Sequence, residues 1–244
     1  MTRMTTPLLS VIIPTVGRPS LARTVRSLQC QCSWLSWEAI LVGDTHSGKW
    51  APDLPAADAL AARDPHLRYV EHDGGVHAWG QPQRNFGATV ARGRYLAWLG
   101  DDDLYLPGAF DAIGKAIRSL DEPRVLLFRW IAPWKQVLWH TAGFLGDEPG
   151  HIDAECIVCP NVPERLGTWT LRYQGDFDFI QETIACWGGL ERTIWQPEVI
   201  AQAQPPEAED WTVGGGVALP LHPPLTTQTV LVPFLGGALG EPTA

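Results

Sequence analysis

Long apolar runs are missing from this chain. The longest early stretch, Leu8 to Ile13, stops at Pro14, whereas a bilayer span needs roughly 20 apolar residues. That stretch is also too short for the apolar core of a secretory signal. Neither a membrane span nor a cleaved leader is expected, and the expected compartment is the cytoplasm. Lysine is nearly as scarce, with Lys49, Lys115 and Lys135 the only three, and 18 basic residues face 27 acidic ones for a net charge of -9. Proteins that hold the phosphates of a long nucleic acid carry the opposite balance. Bulk DNA or RNA is therefore excluded as a main partner, while a local basic groove stays open. The positive charge is nearly all arginine, which suits bidentate phosphate contacts, although coding bias produces the same surplus.

Cysteine is sparse and odd in number, five in all, which fits free thiols in a reducing compartment. Cys30 and Cys32 form a C-x-C and Cys156 and Cys159 a C-x-x-C. Together they would offer four sulfurs to zinc, but the pairs lie in opposite halves of the chain, and structural zinc pairs sit closer. Ile157 and Val158 between the second pair read as buried strand, against a redox motif.

What is present is 244 residues, 45% apolar and 18% charged, enough for the core of one α/β domain and too apolar for disorder. Leu8 to Pro14 reads as a buried strand, and Pro19-Ser20 opens a helix with Leu21, Val25 and Leu28 on one face. Strands follow at Glu38 to Gly43, Leu67 to His72, Arg94 to Leu99 and Arg124 to Ile131. Helices are expected at Ala56 to Arg63, at Gln83 to Ala91, and after Pro107-Gly108 with Phe110, Ile113, Ile117 and Leu120 inward. This alternation implies a mostly parallel, doubly wound sheet flanked by helices. Ligands bind outside the carboxyl ends of such strands. Three polar clusters fall there: Thr15 to Arg18, Asp44 to Ser47 and Asp101 to Asp103.

Beyond about residue 135 the pattern loosens. A hairpin is expected near Gln136 to Thr141, a strand near Ile152 to Cys159, a helix from Asp176 to Trp187 and a last strand near Thr193 to Ile200. Residues 205–244 are rich in Pro and Gly and read as a tail.

The strongest chemical signal is Asp101-Asp102-Asp103. Adjacent carboxylates repel, so water or a cation must neutralise them. Mg²⁺ or Mn²⁺ takes oxygen ligands, usually one or two carboxylates plus substrate phosphates. A solvated acidic turn is the plainer alternative, and the position at a strand end favours the metal.

Several segments resemble family 2 glycosyltransferases, which have the nucleotide-sugar-binding GT-A fold. SVIIPTVGRPSLARTVRSLQCQ resembles their first strand and helix, and WEAILVGDTHSG their second strand with its nucleotide-contacting Asp. GQPQRNFGATVARGRYLAWLGDDDLYLPGAF resembles their R-N-x-G helix, fourth strand and D-x-D turn. The similarity is good over residues 8–120 and weaker to about 200. It implies one GT-A-like domain over residues 1–204, with a nucleotide-sugar half at about 7–105 and an acceptor half at about 106–204.

The resemblance also implies roles. Thr15 and Asp44 would line the nucleobase and ribose pocket, with Pro14 and Arg18 among the nucleotide-sugar contacts, and Arg84 would help hold the nucleotide. Asp101 would contact ribose or metal, Asp102 would be the metal ligand at the diphosphate, and Asp103 is a second metal or sugar-contact candidate. Many relatives have Asp where this chain has Gly100, so the register of the D-x-D remains open. The acceptor-activating base would lie in YQGDFDFIQET, where Gly175 replaces a Glu. Asp176 takes that position, with Asp178 as runner-up, and helix capping is an equal alternative for Asp176. The implied activity is metal-dependent transfer of one sugar from a nucleoside-diphosphate sugar, with UDP the family's common case, to an acceptor hydroxyl with inversion. The Q-x-x-R-W of processive members is absent. The acceptor is not identified.

Twelve Trp stand in the chain. Trp130, Trp134, Trp139, Trp169, Trp187 and Trp195 concentrate where the acceptor would bind, and core filling is the expectation for most. His77 lies in a Gly-rich loop, at the surface or within reach of the nucleotide; His151 and His222 have no supporting metal spacing. Other doubly wound enzymes fit worse. PTVGRPS follows the first strand where a dinucleotide oxidoreductase has G-x-G-x-x-G. A dehalogenase-like phosphatase has its carboxylates after the first strand, and a nucleotidyltransferase has a Gly-rich, basic first loop. A non-catalytic nucleotide-sugar-binding module is the competing class, and the intact Asp44, Arg84 and Asp101 to Asp103 speak against it.

Overall fold

The computed structural model describes residues 6–46, 53–139, 141–146 and 149–205. The Pro- and Gly-rich stretch from 206 onward, with His222, lies outside the described residues. At the centre is β1 (Leu9–Thr15), buried along its whole length. It is flanked in parallel by β2 (Trp37–Asp44) and β4 (Tyr95–Trp98), and β3 (Leu67–His72) adds in parallel to β2. Strands covered on both faces read as unbroken apolar runs, which is why β1 and β2 were legible. Helix α1 (Leu21–Gln29) buries Leu21, Thr24, Val25 and Leu28, the stripe that the 3.6-residue period places on one side. Helices α2 (Leu54–Ala61), α3 (Gln81–Val90) and α4 (Ala109–Arg118) complete the first half. The order β3-β2-β1-β4 reverses direction beside β1, and the crevice at such a reversal is where this class of sheet binds ligands.

The expected doubly wound α/β fold is present, and its parallel character belongs to those four strands. The rest is mixed: β5 (Leu104–Tyr105), β6 (Leu126–Ile131), β7 (Val137–Leu138), β8 (Ile157–Pro160) and β9 (Ile194–Gln202). The full order is β3-β2-β1-β4-β8-β6-β9-β5, with β7 paired to β6 as a hairpin. Strand β8 runs antiparallel to both β4 and β6, while β9 runs parallel to β6 and antiparallel to β5. The pairing of β6 with β9 slips between Leu127 and Arg129, where β9 contains Pro197, a residue that cannot donate to the ladder. Strand β9 also runs past the expected end because Ala201 and Gln202 pair with β5. Two-residue β5 has no sequence period; it exists through that long-range partner. The expected strand from Ile152 starts later, since Ala154–Cys156 forms a 3-10 turn before β8.

Cys156 and Cys159 are buried while Cys30 and Cys32 are exposed, so the two cysteine pairs occupy unlike environments. No helix among the described residues is long and apolar enough to cross a membrane.

The R-N-x-G segment explains itself in α3. Asn85 brackets the backbone of Trp169, donating to its carbonyl at 2.9 Å and accepting its N–H at 3.0 Å. Two good hydrogen bonds thus tie the second half of the chain to the first. A Cβ on Gly87 would lie 2.4 Å from Ile12 Cγ2 and 3.2 Å from Val42 Cγ2, so α3 sits directly on β1 and β2 only because that residue has no side chain. Gly87→Val is expected to lower stability by about 1–3 kcal/mol through overpacking, read as a reduced urea midpoint at unchanged slope.

Candidate active site

The carboxyl ends of β1, β2 and β4 bring their polar clusters to one cleft of about 840 Å³. Pro14, Thr15, Arg18, Asp44, Arg84, Asp101, Asp102 and Asp103 all line it, and so does Asp176 from α5 (Gly175–Cys186). Asp178 is not among the lining residues.

The acidic turn between β4 and β5 separates its three carboxylates into three environments. Asp101 is buried; its Oδ2 accepts the Thr15 hydroxyl at 2.8 Å, and Arg18 Nη1 lies 3.3 Å from its Oδ1. Burial raises its pKa, and Arg18 and Thr15 oppose the rise. Asp102 is the most open of the three, with its side chain 31% exposed and its Oδ2 3.0 Å from Arg18 Nη1. Asp103 folds back: Oδ2 accepts the Gly100 N–H at 3.0 Å and Oδ1 the Gln204 N–H at 2.9 Å. Burial, with Asp102 and Asp153 nearby, pushes its pKa up to about 8. This return explains the departure at Gly100, where a Cβ would stand 2.2 Å from Asp103 Oδ2.

A hard divalent cation bound through one or two carboxylates and substrate phosphates fits Asp102 with Asp101 beside it. The guanidinium of Arg18 already stands between those two carboxylates as a cationic stand-in. The turn is not an all-protein cage: the described residues include no group of three or more His, Cys, Asp or Glu side chains arranged for a metal. Both oxygens of Asp103 are engaged by backbone, which leaves it the poorest ligand of the three.

Asp44 closes the other end of the cleft. Its Oδ1 accepts the His46 N–H at 3.0 Å and its Oδ2 lies 3.3 Å from His77 Nδ1, so the loop histidine belongs to the site. Arg84 spans the floor. Its Nη1 donates to the Trp79 carbonyl at 2.6 Å and to Gln81 Oε1 at 3.4 Å, and the guanidinium lies 5.0 Å from the Trp169 ring centroid. Its Nε has no hydrogen-bond partner among the described residues. Burial lowers its pKa, and Asp153, Asp103, Asp176 and Glu155 oppose that.

Asp176 and Asp178 separate cleanly. The N-cap of α5 is Gln174, so Asp176 lies in the first turn and is not the capping residue. Burial and the charge of Asp153 push its pKa up to about 7, against the Phe177 N–H and Arg84. Asp178 instead accepts from Thr170 and pairs with Arg172, and that bonding holds its pKa low. The runner-up base of the sequence reading thus stands in an ion pair with Arg172, outside the cleft lining.

Asp153 and Glu155 were missed. Glu155 is buried and Asp153 half-buried, burial raises the pKa of both, and Asp153 lines the cleft. The available signal was two carboxylates inside a segment read as buried strand, a conflict that itself points to a site. Of the tryptophans, Trp130, Trp134 and Trp169 line the cleft, while Trp139 and Trp195 pack edge to face at 4.9 Å and Trp187 lies under Arg165.

A Rossmann-like sheet with an acidic turn and an open cleft at its switch point places the chain among the α/β proteins that bind ligands at the carboxyl ends of their strands. The family model for glycosyl transferase family 2 matches residues 10–178, and the chain belongs to that family. A putative colanic acid biosynthesis glycosyl transferase of Escherichia coli (strain K12) is 32% identical over 102 residues, which is 41% of this chain and 34% of that protein. An uncharacterised glycosyltransferase of Rickettsia typhi is 25% identical over 122 residues, 50% of this chain and 36% of the relative. The matches thus span about a third of the length of these curated relatives. Among solved structures, residues 1–349 of S. aureus TarS in complex with UDP-GlcNAc superpose with a TM-score of 0.60 at 14% identity, over 82% of this chain and 59% of that one. The UDP complex of the same protein gives 0.59 over 80% and 60%. These likenesses show the GT-A fold.

The raised Asp176 has a consequence for stability. Its folded value of about 7 exceeds the ordinary 3.8, so between those values the unfolded chain releases a proton that the folded chain keeps. Its contribution is complete below about pH 4 and is lost as pH rises to about 7. Relative to wild type, Asp176→Asn is expected to be more stable at about pH 8 than at about pH 4, by on the order of 1 kcal/mol or more. Urea titrations of both proteins at the two pH values measure it.

Proposed function

We propose that this protein transfers a single sugar from a nucleoside-diphosphate sugar, with UDP as the nucleotide, to an acceptor hydroxyl with inversion at the anomeric carbon. The observation that carries the reading is the placement of Asp44, Asp101, Asp102 and Asp176 around one cleft, with Asp176 near pKa 7. A general base works best with a pKa close to the operating pH, and the half-buried Asp176 carboxylate, beside Asp153, has that property. Support for the donor comes from family membership and from the TarS structure solved with UDP-GlcNAc.

In this reading Thr15, Asp44 and His77 hold the nucleoside end of the donor. Arg18 now occupies the acidic rim and exchanges partners when the diphosphate arrives. Asp102, aided by Asp101, would hold Mn²⁺ or Mg²⁺, which when bound supplies positive charge to a departing diphosphate. Asp103 keeps the turn in shape through Gly100 and Gln204, and Asp176 takes the acceptor proton. Single transfer, a cytoplasmic site of action and a one-domain organisation over residues 1–204 complete the proposal.

Asp102→Ala is expected to lower turnover by about 10²-fold or more, the scale of one lost electrostatic stabiliser, and excess EDTA to silence the wild type. Full wild-type turnover in EDTA would overturn the metal. Asp176→Asn is expected to cost about 10²- to 10⁴-fold in kcat with UDP affinity kept. The wild-type kcat/KM should rise with pH up to about 7, because the base acts only when deprotonated. A flat profile from about pH 5 to 8 would remove Asp176 from that role.

A further inference from the structure

Large apolar side chains left in water mark surfaces that something covers, and three of them surround one opening. Trp79, Trp134 and Tyr173 are 58%, 62% and 70% exposed, and all three line the cleft. Trp79 and Tyr173 meet edge to face with ring centroids 5.6 Å apart, so each keeps at least one ring face clear of the other. Trp79 is held at φ 48°, just before Gly80 at φ 78°. A bulky residue in the left-handed region is strained, and strain of this kind collects at functional sites.

Tyr173 is fixed as firmly as its exposure allows. Thr170 and Arg172 both bond to Asp178, which ties the segment before Tyr173 to α5, the helix that also bears Asp176. Gln81 Nε2 donates to the Arg172 carbonyl at 3.3 Å and ties the same segment to α3. Asp178 thereby holds the segment that carries Tyr173, three positions before Asp176.

The cleft beside Tyr173 is lined by more acidic than basic side chains. Asp102, Asp153 and Asp176 line the cleft. Of the lining arginines, Arg18 lies on Asp101 and Asp102, and Arg84 is set among Asp153, Asp103 and Asp176. An anionic acceptor would meet like charge there, a costly juxtaposition, whereas aromatic faces pack well against the C–H face of a sugar ring.

We propose that the acceptor is a neutral pyranoside whose apolar face lies on Tyr173, with Trp79 and Trp134 at the rim and its reacting hydroxyl toward Asp176. This rests on the transfer reaction proposed above. The acceptor oxygen bonds to the donor's anomeric carbon, the bond from that carbon to the diphosphate breaks, and the diphosphate leaves with the electron pair. The hydroxyl proton passes to the Asp176 carboxylate.

Saturation-transfer NMR on the full chain with Mg²⁺ and UDP tests it. The probes are methyl β-glucopyranoside, methyl β-galactopyranoside, methyl glucuronide, glucose 6-phosphate and a short Ser/Thr peptide. At least one neutral pyranoside should receive saturation at its ring C–H protons, with the two anionic sugars bound about tenfold more weakly. Tyr173→Ala should abolish the transfer at an unchanged melting temperature, and Tyr173→Phe should restore it. UDP binding with no response from either neutral glycoside, equal binding of the anionic sugars, peptide binding alone, or an unaffected Tyr173→Ala would each overturn the acceptor assignment. A chain that binds no UDP would overturn the donor reading along with it.

Discussion

Five carboxylates, those of Asp101, Asp103, Asp153, Glu155 and Asp176, converge on a region where burial raises the proton affinity of each. The rest of the site is arranged to keep that concentration tolerable. Arg84 lies at its centre and Arg18 at its rim, while Thr15, Gly100 and Gln204 give hydrogen bonds to the acidic turn. Excess negative charge held in a low-dielectric cleft raises proton affinity and favours any cation that reaches it.

The sheet makes the convergence possible. Reversal of strand order beside β1 opens a crevice where the ends of β1, β2 and β4 point the same way. The mixed half then folds back antiparallel through β8, so that Asp153, just ahead of it, reaches the same space. Asn85 and Asp103 join the halves, one through the backbone of Trp169 and the other through Gln204. Asn85 and Gly87 therefore shape the cleft from behind, by holding α3 and the Trp169 segment at a close and fixed separation.

The cleft divides by chemistry into a polar end and an aromatic end, which the proposed reaction would use for donor and acceptor. Asp44, His77 and Thr15 supply a polar recess; Tyr173, Trp79 and Trp134 supply exposed ring faces. Asp178 pairs with Arg172, which holds its pKa low and ties down the segment that carries Tyr173.

By itself the sequence determined the parallel half. Apolar runs at β1, β2 and β4, the inward stripes of α1 and α4, and polar residues at strand ends are local patterns with a short period. Asp44 and Asp101 to Asp103 were legible because they end those strands, whereas Arg84 was legible only through the resemblance of its R-N-x-G segment to the family. Only the tertiary structure decided the surroundings of each carboxylate. Asp176 and Asp178 are two residues apart on one helix, yet one faces the cleft beside Asp153 and the other pairs with Arg172. The same holds for Asp103, which Gln204 reaches from 101 positions away, for two-residue β5, and for Asp153 and Glu155 within an apparent strand. Burial and charge coupling depend on neighbours distant in the chain, and no local period encodes them.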